Sequence, residues 1–81
     1  MSQELYETVA RILTDTFQVP ADEVSAEATL ESLDLDSLDL VELTLIVEEE
    51  TGVKIEDDEL ENIRTVGDAV AAIEKKQAAA A

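Results

Sequence analysis

Apolar residues recur at helical spacing from the start of the chain. Leu5, Val9, Ile12, Leu13 and Phe17 fall on one face between Ser2 and Phe17, with Tyr6 and Ala10 widening it. Glu4, Glu7, Arg11 and Asp15 lie opposite, so the segment reads as an amphipathic first helix. Val19-Pro20 is expected to end it, because a residue before proline disfavours the helical region and proline has no N–H to donate. The connection from Gln18 to about Leu35 exceeds the ~12–15 residues that compact domains usually leave without structure. Leu30, Leu33 and Leu35 are expected to pin it to the core.

A second helix is predicted from Asp36 or Ser37 to Thr51, with Gly52 as its C-terminal stop. At ~100° per residue its apolar positions divide into two stripes. Leu40, Leu43 and Val47 form one, whereas Leu38, Val41 and Leu45 form another on roughly the opposite side, bordered by Glu42, Glu48 and Glu49. A helix in a small bundle buries one stripe fully, which leaves the second surplus to the core.

Val53 and Ile55 alternate with polar residues but are too few for a sheet, and a short helical turn is expected over Asp57 to Asn62. Thr65-Val66-Gly67-Asp68 has the form of a capping box with Asp in place of Glu and Thr65 as the cap. Val66, Ala69, Val70 and Ile73 give the last helix its apolar face, with Lys75 and Lys76 expected near its C-terminal end, where positive charge complements the dipole. The predicted fold is all-α: a small four-helix bundle of three longer helices and one short one, with a long first loop. One domain is expected over residues 1–77, followed by a frayed Ala-rich tail at 78–81. There is no internal repeat or linker.

Composition narrows the chemistry. The chain has 81 residues, one Phe, one Tyr and no Trp, so its single core must be built from Leu, Val, Ile and Ala. Without Cys or His there is no thiolate nucleophile, disulfide or imidazole base, which removes most catalytic schemes. The 21 acidic residues against 5 basic ones give a formal charge of −16, which repels nucleic acid and anionic membranes and attracts proteins with basic patches. Self-repulsion of this size favours a monomer. No window approaches the ~20 apolar residues of a membrane span, and MSQELYE lacks the regions of a signal peptide, so a soluble, cytoplasmic protein is expected.

Ser37 stands where the second helix begins. A helix N-terminus offers unsatisfied N–H groups and the positive end of the dipole, so a phosphodiester on this hydroxyl would be tolerated there. The plainer reading is that Ser37 caps the helix, a common role for serine. Asp34, Asp36 and Asp39 do not make a calcium loop, since counting from Asp34 puts Leu38 at the fifth position and Asp39 where a glycine is required. They and Glu48-Glu49-Glu50 read as helix-start charges and a solvated face. An apolar strip rimmed with acid is nonetheless what a docking surface for a basic partner looks like.

Asp36-Ser37-Leu38, Asp39, Val41-Glu42-Leu43, Glu48-Glu49-Glu50 and Gly52, followed by Thr65-Val66-Gly67-Asp68-Ala69-Val70, closely resemble the acyl carrier proteins, in particular the free-standing carriers of fatty acid synthesis. The resemblance runs from the first helix to about Lys76. It implies a non-enzymatic carrier in which Ser37 holds 4′-phosphopantetheine, donated from coenzyme A by a phosphopantetheinyl transferase. It also implies acyl chains held as thioesters on the arm and housed in the bundle interior. Fatty acid synthesis enzymes with basic patches would dock on the second helix, at positions matching Asp36, Leu38, Asp39, Val41, Glu42, Leu45, Glu48 and Glu49. A polyketide or other specialised carrier shares the Ser37 chemistry, and an unmodified acidic adaptor for basic proteins needs the stripe but not the hydroxyl. The chain departs from the common pattern at Asp34, where many members have Gly, at Leu45, where many have Met, at Thr51, commonly aromatic, and at Glu56, frequently Pro.

Overall fold

A computed structural model describes residues 2–80, with side chains through residue 78. Helix α1 spans Gln3–Thr16, and the Ser2 hydroxyl at its N-cap accepts from the Leu5 N–H. Its end comes before Pro20 can act on it. Gln18 turns into the left-handed region at φ 57°, while the Leu13 carbonyl accepts from both the Phe17 and Val19 N–H groups. Pro20 instead precedes a single 3₁₀ turn, Ala21–Glu23.

Helix α2 spans Ser37–Thr51 and stops at Gly52, which adopts φ 76°. The Thr51 hydroxyl donates to the Val47 carbonyl and accepts the Val53 N–H, a way of closing this helix end that an aromatic side chain does not supply. Helix α3 is the single turn Asp57–Leu60, shorter than expected from its sequence; Asn62 falls in the turn after it. The Glu56 N–H before α3 donates to Glu59 Oε1 at 3.0 Å, a bond closed to the proline frequent at this position.

Helix α4 spans Val66–Ala80 and begins at the predicted box: Asp68 N–H donates to Thr65 Oγ1 at 3.0 Å and Thr65 N–H to Asp68 Oδ2 at 3.2 Å. It runs on through Ala80, alanine being the best helix former; Ala81, the last residue of the expected tail, lies outside the described residues. Lys75 and Lys76 consequently sit inside α4 and not in its last turn. Lys76 finds its counter-charge sideways, 2.6 Å from Glu59 of α3.

Four α-helices and no strand are present among the described residues, the predicted all-α bundle. Helix α1 packs against both α2 and α4. The core takes Leu5, Val9, Ile12 and Leu13 from α1, Leu43 and Val47 from α2, and Val66, Ala69, Val70 and Ile73 from α4. Val53, Ile55 and Ile63 close it from the connections, each such side chain contributing about 1.5–3 kcal/mol when fully buried.

The long loop is held on two sides. Leu30 and Leu33 are buried and Leu35 packs half-buried against the core. Residues 26–30 also run antiparallel to 64–67, through Leu30 N–H to Arg64 O at 2.8 Å, Val66 N–H to Ala28 O at 3.0 Å and Gly67 N–H to Ala26 O at 2.9 Å. A Cβ at position 67 would stand 3.0 Å from that Ala26 carbonyl, which explains the glycine inside a helical first turn.

Candidate functional site at the start of helix α2

The cap of α2 is Asp36, not Ser37. Asp36 has extended backbone angles; its Oδ1 accepts the Asp39 N–H at 2.9 Å, and Asp39 Oδ2 accepts the Asp36 N–H at 3.2 Å. This reciprocal box fixes the helix start one residue earlier than a serine cap would. Ser37 becomes the first helical residue, exposed, and its hydroxyl has no hydrogen-bond partner among the described residues. The hydroxyl is therefore available for substitution without loss of a cap. The N–H groups of Ser37 and Leu38 belong to the first turn and have no helical acceptor, so an anion on this oxygen meets unsatisfied donors and the positive end of the dipole.

Beside Ser37 lies an open groove of ≈ 660 Å³, lined by Thr29, Leu30, Glu31, Leu35, Asp36, Leu40, Ile63 and Arg64. Leu30, Leu40 and Ile63 also line the space at the centre of the bundle, where Val9, Leu43, Val47, Ile55, Leu60, Ala69 and Ile73 complete the wall with Thr44, whose hydroxyl is engaged with the Val41 carbonyl. That interior space is ≈ 10 Å³, about the room one water needs, so the bundle is closed in this state. The groove floor is thus the roof of the aliphatic interior. Phosphopantetheine fits this arrangement: a free hydroxyl at a helix start, a groove leading from it, and a polar rim over an apolar floor.

The two stripes of α2 separate, although Leu40 of the core stripe is only half-buried, at the wall of the groove. Leu43 and Val47 are 4% and 3% exposed, whereas Leu38, Val41 and Leu45 are 79%, 45% and 55% exposed. At ~100° per residue, Leu38, Val41, Glu42, Leu45, Glu48 and Glu49 fall within an arc of about 120°; Asp39 lies about 60° beyond that arc, and Asp36, the cap, stands outside it at the N-terminal end of the helix. All of these are exposed except Asp39, which is half-buried.

Sequence reading missed the far wall of the groove. Arg64, Ile63, Thr29 and Glu31 reach Ser37 only because the 26–30 and 64–67 segments pair, and side-chain periodicity carries no sign of that pairing. Two carboxylates are displaced from their ordinary range. The Lys76 ammonium, then the Glu56 N–H, hold Glu59 below its ordinary value, and the Arg64 and Thr65 N–H groups hold Asp68 below its own.

Residues 7–73 match the family described as "Phosphopantetheine attachment site". The chain is 50% identical over 74 residues to the acyl carrier protein of Petrotoga mobilis, covering 90% of this chain and 87% of that one. It is 45% identical over 80 residues to that of a Picosynechococcus species, covering 98% and 99%. The crystal structure of the acyl carrier protein from Thermotoga maritima superposes with a TM-score of 0.87 at 28% identity, over 98% of this chain and 93% of that one. On the strength of these matches, spread over nearly its whole length, the chain belongs to the acyl carrier proteins, which are carriers rather than enzymes and whose prosthetic group is 4′-phosphopantetheine.

Proposed function

We propose that Ser37 is the attachment residue and that the chain presents growing acyl groups to the cytoplasmic enzymes of fatty acid synthesis. The observation that carries this reading is the division of labour at the start of α2. Asp36 caps the helix, and the exposed Ser37 hydroxyl beside it is bound to nothing among the described residues. When attached, phosphopantetheine supplies the terminal thiol that a chain without cysteine lacks, and on it acyl groups are held as thioesters.

The protein's own residues receive, shelter and deliver the cargo. The first-turn N–H groups tolerate the phosphodiester charge. Leu30, Leu40 and Ile63 stand between the Ser37 groove and the interior, so an acyl chain enters by parting aliphatic side chains, which yield more readily than interlocked aromatic rings. Exposed Leu38, Val41 and Leu45, rimmed by Glu42, Glu48 and Glu49 and completed by Asp36 and Asp39 at the helix start, form the docking face for the phosphopantetheinyl transferase and for synthesis enzymes with basic patches.

Intact mass tests the attachment. Incubation with coenzyme A and a broad-specificity phosphopantetheinyl transferase should add one phosphopantetheine to the parent chain and none to Ser37→Ala. A folded, initially unmodified parent that gains nothing would favour an unmodified acidic adaptor. Elongation of the loaded chain by fatty acid synthesis enzymes then tests the pathway; transfer only by polyketide enzymes would replace it.

The docking face is tested separately by charge reversal at Asp39, Glu42 or Glu49. Each should slow association with the transferase at low ionic strength, with the deficit shrinking as salt rises. Rates equal to the parent's would remove this face from the reading.

A further inference from the structure

Among the five basic residues of this chain, Arg64 alone lines the Ser37 groove. Arg11 is engaged with Glu50 and Lys76 with Glu59, while Lys75 lines a different pocket, with Asp68 and Ala72. Arg64 has an exposed side chain and makes no ion pair among the described residues. Its backbone, by contrast, is fixed from two sides: its carbonyl accepts the Leu30 N–H at 2.8 Å and its N–H donates to Asp68 Oδ2 at 3.2 Å. A guanidinium is thus carried on an anchored stem at the wall of the groove that starts at Ser37.

The same groove contains the carboxylates of Glu31 and Asp36. Adding a phosphodiester at Ser37 introduces a further negative charge into that groove, on a molecule already at −16. The first-turn N–H groups answer part of that charge. A planar fork of N–H donors that matches phosphate oxygens answers it better and, unlike the helix end, imposes a direction.

Resting on the carrier reading above, we propose that Arg64 pairs with the phosphodiester on Ser37. It is a positioning residue that lays the start of the arm along the groove, towards Leu30, Leu40 and Ile63. Its location opposite α2 is what gives it this role: a cation on α2 would neutralise the phosphate without turning the arm towards the interior. Arg64 also lessens the local repulsion that loading creates, so the loaded chain retains stability that it would lose without this side chain.

The test compares unloaded and loaded parent, Arg64→Gln and Arg64→Lys, with loading verified by intact mass. In the parent, the Arg64 Nε–Hε NMR resonance should shift on loading, and the phosphodiester ³¹P resonance should differ between parent and Arg64→Gln. At low salt, loading should lower the melting temperature of Arg64→Gln at least ~2 °C more than that of the parent. Arg64→Lys should recover part of this difference, and 0.5 M NaCl should erase it. Because the Nε–Hε measurement uses the parent alone, it stands even if a variant folds poorly. An unmoved Arg64 resonance together with equal loading shifts in all three proteins would overturn the proposal while leaving Ser37 attachment intact. Failure of the parent to load would overturn both.

Discussion

Asp34 adopts φ 62°, a left-handed conformation that costs an ordinary L-residue roughly 1–2 kcal/mol and an aspartate somewhat less. It occupies the position, two residues before Asp36, where many members of the family have glycine, and the backbone explains their preference. Asp34→Gly removes the Cβ penalty and one carboxylate from a crowded helix start, against some added freedom of the unfolded chain. A net gain of ~0.5–1 kcal/mol, a rise in melting temperature of about 2–8 °C, is expected by thermal circular dichroism. An unchanged or lower value would mean that the carboxylate makes a compensating contribution. The same local geometry decides which side chain caps α2. Both Asp36 and Ser37 are good caps, so residue preference alone does not choose between them. The reciprocal box does, because Asp36 has Asp39 three residues on, whereas Ser37 has Leu40. The same i, i+3 pattern identifies the cap at Thr65 and Asp68; it is equally present at Asp36 and Asp39, and overlooking it there is what leaves Ser37 as the plainer cap in the sequence.

Helices α1 and α4 are legible because each carries four core positions at helical spacing, and the buried sets Leu5-Val9-Ile12-Leu13 and Val66-Ala69-Val70-Ile73 are the faces that spacing picks out; α2 buries only Leu43 and Val47 and is legible from its two apolar stripes and the glycine that ends it. What periodicity does not encode is how short elements meet. Helix α3 has one turn, too short to show a face, and is held by Glu59, which accepts the Glu56 N–H and pairs with Lys76 across to α4. Placing the lysines at a helix end from sequence overlooked this sideways partner, because the Ala-rich extension of α4 moves the true terminus beyond them. The ion pair leaves a titration signature. Glu59 lies below its ordinary 4.5 and Asp68 below its ordinary 3.8, so each binds its proton more weakly folded than unfolded. Their stabilisation is complete above those ordinary values and is lost as pH falls through the lowered folded ones. Carboxyl-resolved NMR titration should find Glu59 below its ordinary 4.5. Lys76→Ala should move Glu59 upward and leave Asp68, whose causes are backbone N–H groups, in place. A Glu59 midpoint indifferent to Lys76 would dissolve the α3–α4 connection.

The charge that draws basic partners also opposes folding. The chain carries −16 within a radius of gyration of 11.4 Å, close to the ~12 Å typical of a folded domain this size, so compaction is complete despite the repulsion. With a longest extent of 33 Å, the molecule matches the Debye length of ~30 Å at 0.01 M ionic strength, where nearly every carboxylate senses every other. At 0.15 M the length falls to ~8 Å and only neighbours still interact. Salt also weakens the attractive pairs Arg11–Glu50 and Lys76–Glu59, but exposed pairs contribute about 0–1 kcal/mol each, and two of them are set against 21 acidic residues. Repulsion wins this comparison, so the melting temperature should rise between 0.01 and 0.15 M NaCl. Magnesium screens the same field more strongly per ion, so it should raise the melting temperature at lower concentrations than NaCl does. A melting temperature flat in both salts would show that the fold does not feel its own charge. A fall with NaCl would show that the two ion pairs, and not the aliphatic core, hold the helices together against it.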